Sequence, residues 1–130
     1  MQPLRSAIEA GNIARARSLL THKWWRRAAE VNHRDPDGWT ALHVAARAGR
    51  EDLVALLLAH GADVHALGRE NWTALQPAVA SGSRSVVELL LAHGADVNAR
   101  GMLGWTPLTW AFVGGSHEMK ALLRERGGTA

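Results

Sequence analysis

Apolar residues recur along the chain with the spacing of short amphipathic helices, and the same pattern is repeated down the sequence. Segments beginning at Gly38, Asn71 and Gly104 each pair an alanine-rich stretch with a leucine-rich one. Tryptophan recurs at positions 39, 72 and 105 and threonine at 40, 73 and 106, so the period is 33 residues. A fixed period of this length predicts a repeat architecture, in which each unit buries its apolar face against its neighbour.

Within each unit the polar residues indicate where helices begin and end. A threonine precedes the first helix, a glycine (Gly49, Gly82 or Gly115) follows it, and Gly61 or Gly94 follows the second. Threonine is a good N-cap and glycine a good helix stop. The polar stretch between one unit's second helix and the next threonine predicts a projecting turn. The sequence therefore predicts an all-α fold of stacked helix pairs.

The sequence motifs resemble those of the ankyrin repeat family. They are the T-A-L-H of residues 40–43, the LLLAHGADV runs at 56–64 and 89–97, and the 33-residue period. The resemblance implies helix-turn-helix units with projecting β-turns, stacked into a slightly curved solenoid. It also implies a protein-binding scaffold without catalytic machinery, whose partners contact the turn tips and the first helices on the concave face. His43 belongs to the motif and is expected to hydrogen-bond between neighbouring turns.

A fourth, irregular copy precedes the three regular ones. The segment PLRSAIEAGNIARARSLL aligns with ALHVAARAGREDLVALLL, and the extra offset places an insertion within residues 21–30. We expect a single ankyrin repeat domain over residues 1–130, with units at approximately 1–32, 33–65, 66–98 and 99–130. In the last unit Lys120 and Arg124 replace apolar residues, and in the first Arg15 and Ser18 do so. Polar residues at these positions predict capped ends and hence a complete four-unit domain.

Composition narrows the function further. The chain has no cysteine and a formal net charge of +3. It shows no signal peptide and no apolar run long enough to cross a membrane, so a cytoplasmic protein is expected, with the nucleus not excluded. Its seven histidines are dispersed, and no nucleophile, base and carboxylate form a recognisable set. We therefore expect no enzyme activity, no cofactor and no metal, and another protein as the partner.

The candidate contact residues lie on the turns and first helices. Two interpretations of the tryptophans remain open: they pack over the turn base, or they form an aromatic row that faces a partner. Met102 and Leu103 favour contact, because apolar residues at a projecting tip have no core to enter. Trp110 is expected to pack inward beside Phe112. The predicted partner-binding set is Trp39, Arg47, Leu67, Arg69, Trp72, Met102, Leu103, Trp105 and Val113.

The insertion carries a second candidate site in the sequence HKWWRR, residues 22–27. Trp24 continues the apolar stripe of Leu20 and is predicted to extend the cap. The predicted exposed basic and aromatic site is Lys23, Trp25, Arg26 and Arg27. It suggests two alternative functions, recognition of an anionic partner (nucleic acid or an acidic protein) or self-association through exposed tryptophans. Nucleic acid is disfavoured because residues 51–130 carry six basic against eight acidic side chains, and we expect a monomer.

Overall fold

The protein consists of α-helices joined by turns in the part that the computed structural model describes, residues 3–21, 31–114 and 116–129. Those residues contain no β-strand. Two short 3-10 turns, Arg69–Asn71 and Met102–Gly104, lie between helix pairs. The helices are α1 Pro3–Glu9, α2 Ile13–Thr21, α3 Ala41–Arg47, α4 Glu51–Ala59, α5 Leu75–Ser81, α6 Arg84–Ala92, α7 Pro107–Gly114 and α8 His117–Glu125.

Helix boundaries follow the predicted caps and stops. Thr40 caps α3 in a capping box with His43: each residue's side chain accepts a hydrogen bond from the other's backbone N–H. Glycines with positive φ follow the helices, Gly82 at +77° after α5 and Gly61 at +90° after α4. A left-handed residue at these positions ends a helix, and glycine adopts that conformation without strain. Gly115, the predicted stop after α7, lies outside the described residues.

The core forms where first helices pack on first helices and second helices on second. Helix α5 packs between α3 and α7, and α4 packs against α6. The alanine at the repeated position of each first helix is almost fully buried, with 2% of Ala7 and 3% of Ala111 exposed. Small side chains there let neighbouring helices approach closely, while leucines of the second helices, such as Leu53 and Leu90, fill the interior. The predicted all-α solenoid of stacked helix pairs is confirmed.

Asparagine side chains tie one helix pair to the next. The Asn32 amide donates to the Gly61 carbonyl (3.1 Å), and its oxygen accepts from the Asp63 backbone N–H (2.7 Å). Asn98 repeats this bridge, donating to the Gly127 carbonyl (3.2 Å) and accepting from the Thr129 N–H (2.8 Å). These bonds hold the end of one second helix against the turn of the preceding unit.

Charged and polar residues lie at both ends of the described stack, at the positions the repeat comparison named. Arg15 and Ser18 on α2 are exposed, as is Arg124 on α8. The equivalents of Lys120 in earlier units, Val54 and Val87, are fully buried. The insertion after Thr21, with all of HKWWRR, lies outside the described residues, so its predicted conformation stays a prediction. None of the described helices is long and apolar enough to cross a membrane.

Candidate partner-binding surface

Three turns of similar geometry project from the stack, at residues 35–39, 68–72 and 101–105. Each is closed by a backbone hydrogen bond from its first residue to the carbonyl of its tryptophan, for example Gly68 N–H to Trp72 O (2.7 Å) and Gly101 N–H to Trp105 O (3.1 Å). This bond holds the turn tip away from the helices and the tryptophan ring at the turn base. The two halves of each turn therefore have different environments, an exposed tip and a covered base.

The turn tips present apolar and basic side chains to solvent. Leu103 is 79% exposed, the highest value among the large apolar residues of the described chain, and Leu67 is 43% exposed. Arg69 is exposed at the tip of the preceding turn. The side chain of Met102 lies outside the described part. Leu103 also adopts the left-handed conformation, with φ of 59°.

The tryptophans at the turn bases form an interlocked row instead of a free aromatic surface. Trp39 and Trp72 meet edge to face with ring centroids 5.9 Å apart. Trp39 is only 9% exposed, and its other neighbours are the His43 ring at 5.2 Å and the Arg47 guanidinium at 5.5 Å. The ring is thus packed at the turn base, covered by helix α3 and the next turn, as the first of the two interpretations expects, and its predicted part in partner contact stays a prediction.

Trp110 connects this row, a role that the sequence interpretation missed. Its ring lies 5.2 Å from that of Trp72 and 5.1 Å from that of Trp105, both in edge-to-face geometry. Phe112 does not accompany it inward, since 46% of Phe112 is exposed. The indole N–H groups of Trp72 and Trp110 are buried with no hydrogen-bond acceptor in the described chain. Ring contacts rather than hydrogen bonds therefore hold these two side chains in place.

His43 links its own unit to the next turn, as predicted. Its Nδ1 accepts from the Thr40 backbone N–H (3.2 Å) and hydroxyl (2.8 Å), so Nε2 carries the proton and donates to the Trp72 carbonyl (2.8 Å). Only 1% of His43 is exposed, and this burial, followed by repulsion from the Arg34 guanidinium, lowers its pKa. The imidazole is therefore neutral and structural. In the next unit Gln76 also bridges to the following unit, but its amide donates to the Ala99 carbonyl (2.9 Å), which corresponds to Ala66 and not to Trp72.

Two grooves at equivalent places open between first helices. The groove between α1 and α3 has a volume of about 290 Å³ and includes Glu9 and Arg47 in its lining. The groove between α5 and α7 has a volume of about 240 Å³ and is lined instead by Ala80 and Val113 at the matching positions. Arg47 and Val113, both predicted contact residues, are exposed at these two groove rims. One groove is therefore charged and the other apolar.

The structure brings together part of the predicted contact set. Arg69 and Leu103 lie at neighbouring turn tips, Leu67 lies just before the turn at 68–72, and Arg47 and Val113 lie on first helices. Trp72 and Trp105 are half-buried between the two groups. The second predicted site, Lys23, Trp25, Arg26 and Arg27, lies outside the described residues. Among the residues that the structure describes, no three His, Asp or Glu side chains converge as metal ligands would.

Comparison with known proteins places these features in a family. A family model described as ankyrin repeats, in three copies, matches residues 4–101 and 66–129. Mouse 2-5A-dependent ribonuclease is 44% identical over 63 residues, 48% of this chain and 8% of that protein. Human ankyrin repeat domain-containing protein 49 is 46% identical over 61 residues, 47% of this chain and 24% of that protein.

A shorter match, to mouse BCL-6 corepressor-like protein 1, is 48% identical over 40 residues, 31% of this chain and 2% of that protein. The matched segments thus span a quarter or less of the length of these relatives. Ankyrin repeats generally mediate protein–protein interaction and are typically non-catalytic. With the family model covering nearly all of the sequence and the stacked helix pairs in place, the chain belongs to the ankyrin repeat family.

Proposed function

We propose that this chain is a non-catalytic interaction module that binds a partner protein through its turn tips and the concave face of its first helices. The contact set combines Arg69 and Leu103 at the tips and Leu67 just before the turn at 68–72 with Arg47 and Val113 on the helices. The half-buried Trp72 and Trp105 contribute ring edges between the two groups. The proposal treats residues 1–130 as one domain of four units and requires neither cofactor nor metal.

Leu103 is the observation that carries the proposal. A leucine in the left-handed conformation is strained by its Cβ, at a cost of about 1–2 kcal/mol relative to the right-handed region. Here φ is 59° and the side chain is 79% exposed, so packing within the described chain does not offset that strain. Glycine or asparagine would suit the turn better. Backbone strain with an exposed apolar side chain supports a role in contact with another molecule.

The residues around Leu103 suit a protein partner. Arg47 lies over the Trp39 ring with its guanidinium exposed, and Arg69 projects from the adjacent tip. Arginine beside aromatic and aliphatic side chains is the composition enriched at protein–protein interfaces. The tips and the first helices together could bury an extended segment or a loop of a partner.

Site-specific photo-crosslinking tests this proposal. Benzoylphenylalanine placed at position 103 should label a partner protein in lysate of the source cells, because the tip would lie inside the interface. The same probe at Ala55, exposed on α4 on the other side of the stack, should not label that protein. Equal labelling from both positions, or none from position 103, would refute the proposed contact surface.

A further inference from the structure

Phe112 departs from the burial pattern of its repeated position. The equivalent residues in the two preceding units, Ala46 and Val79, are 0% and 5% exposed because the next first helix covers them. Phe112 occupies the same place on α7, yet 46% of it is exposed. A large aromatic ring thus stands at the outer side of α7, where the earlier units carry smaller, covered side chains.

Two cations lie against this ring. Lys120 Nζ is 4.9 Å and the Arg124 guanidinium carbon 5.1 Å from the centroid of Phe112. Among the described residues neither cation forms an ion pair, whereas Arg50 and Arg84 each have a carboxylate partner. Buried, unpaired charge is strongly unfavourable. A partner that covers Phe112 and these two cations is therefore favoured if it brings negative charge, such as carboxylates, to Lys120 and Arg124.

An apolar groove lies along the same helix, on the side of α7 that faces α5. Val113, the next residue along α7, is 64% exposed and lines the groove of about 240 Å³ between α5 and α7. The other walls include Val79, Ala80 and Trp110. No acidic or basic side chain lines this groove, in contrast to the groove between α1 and α3. It can hold a bulky apolar side chain of a segment that also crosses α7 to reach the two cations.

We infer that Phe112, Val113, Lys120 and Arg124, here called the edge patch, bind a short acidic segment of a partner protein with a bulky apolar residue among its carboxylates. The apolar residue enters the groove between α5 and α7, and the carboxylates pair with the two cations around the ring. The inference rests on the proposed protein-binding function. It adds a site with its own chemistry, which shares Val113 with the proposed contact set and is otherwise separate from the turn tips.

A fluorescein-labelled decapeptide, glutamates and serines flanking two central leucines, is the probe, with binding followed by fluorescence polarisation. We expect saturable binding that weakens with added salt. The double variant K120E/R124E should weaken it by at least about tenfold, because attraction becomes repulsion. R15E/R17E makes the same change of net charge at exposed positions on α2 and should alter binding by less than about twofold.

Two control peptides test the two halves of the recognition. Replacing the leucines by serine, or the glutamates by lysine, should abolish saturable binding to the chain. The edge patch is overturned if the acidic leucine peptide does not bind, if either control peptide binds equally, or if R15E/R17E weakens binding as much as K120E/R124E does. Sedimentation of the chain alone provides a further check: a dimer that K120E/R124E dissociates would mean that a second copy occupies the patch.

The variant L103N separates this inference from the proposed turn-tip surface. It should leave peptide binding at the edge patch unchanged. Crosslinking from position 103 without peptide binding would leave the turn-tip proposal standing and overturn the edge patch. If the peptide binds, K120E/R124E abolishes that binding and no crosslinking occurs from position 103, the edge patch stands and the turn-tip proposal is overturned.

Discussion

His43 shows how one buried side chain makes the packing of two units depend on pH. Its Nε2–H donates to the Trp72 carbonyl only while the ring is neutral, and burial holds its pKa below the ordinary 6.5. The unfolded chain therefore takes up a proton more readily than the folded chain. This contribution to stability is complete above about pH 6.5 and is lost as the pH falls toward the folded pKa.

The substitution H43Q should remove this contribution to the pH dependence while keeping the bridge. Gln76 shows that glutamine can make such bonds one unit later: its oxygen accepts from the Thr73 N–H (3.0 Å), and its amide donates to a carbonyl of the following unit, that of Ala99. At pH 8 the free energy of unfolding measured in urea should differ from that of the parent by no more than about 1 kcal/mol. Between pH 6.5 and 5 the variant should lose less stability than the parent. If the variant and the parent lose the same amount of stability between pH 6.5 and 5, groups other than His43 cause the acid sensitivity.

At the scale of single elements, the turn at 101–105 combines a stable backbone with an unfavourable tip residue. The turns at 35–39 and 68–72 are closed by the same kind of backbone hydrogen bond. Only the turn at 101–105 places a leucine in the left-handed conformation. L103N should relieve that strain, because asparagine tolerates positive φ, and raise the free energy of unfolding by about 0.5–1 kcal/mol. Chemical denaturation measures the change.

Leu67 provides the matched control for this prediction. It is an exposed leucine near the preceding tip but does not have a positive φ. L67N makes the same chemical change without relief of strain, so stability should stay within about 0.5 kcal/mol of the parent or fall slightly. A loss of stability in L103N would mean that Leu103 packs within the protein, and the argument for an exposed contact would fail.

The elements also show where sequence interpretation succeeds. The 33-residue period predicts the repeated helix pairs. Thr40 and the glycines at 61 and 82 predict where helices begin and end, because caps and stops depend on a few neighbouring residues. Contacts between units are different. Trp110 lies between the rings of Trp72 and Trp105, and that arrangement depends on how closely the first helices stack, which no single repeat encodes.

The exposure of a side chain can likewise be predicted from the sequence only where it does not depend on contacts between units. Leu103 could be predicted as exposed because a turn tip has no neighbour to cover it. Trp39 could not be distinguished as buried or exposed, since a ring at the turn base is covered only when the next turn stacks upon it. The exposure of Phe112 could not be read from its repeated position either, because Ala46 and Val79 are covered by a following first helix and Phe112 by none in the described chain.

At the scale of the whole molecule, the bridges between helix pairs are uneven. Asn32 and Asn98 tie their units to the following ones, but the intermediate position holds His65. In the described structure the exposed His65 side chain makes no corresponding bond to Gly94 or Asp96. The interface between the second and third pairs therefore lacks the asparagine bridge that its neighbours have.

The substitution H65N should restore the bridge and raise the free energy of unfolding by about 1 kcal/mol, the usual net value for such hydrogen bonds. Thermal and urea unfolding measure the gain. The reverse change, N32H, should cost a similar amount at the preceding interface. If N32H destabilises the protein while H65N has no effect, the central interface does not accept the bridge and its weakness has another cause.

The edge-to-face row of indoles has an optical consequence. Neighbouring rings from Trp39 to Trp105 lie 5.1–5.9 Å apart through Trp72 and Trp110. At such separations we expect an excited indole to pass its energy to the next before it emits, so that excitation migrates along the row and the emission is depolarised. Emission that follows absorption by Trp39 should then respond to what touches Trp105, which makes the row an intrinsic fluorescent reporter of stacking.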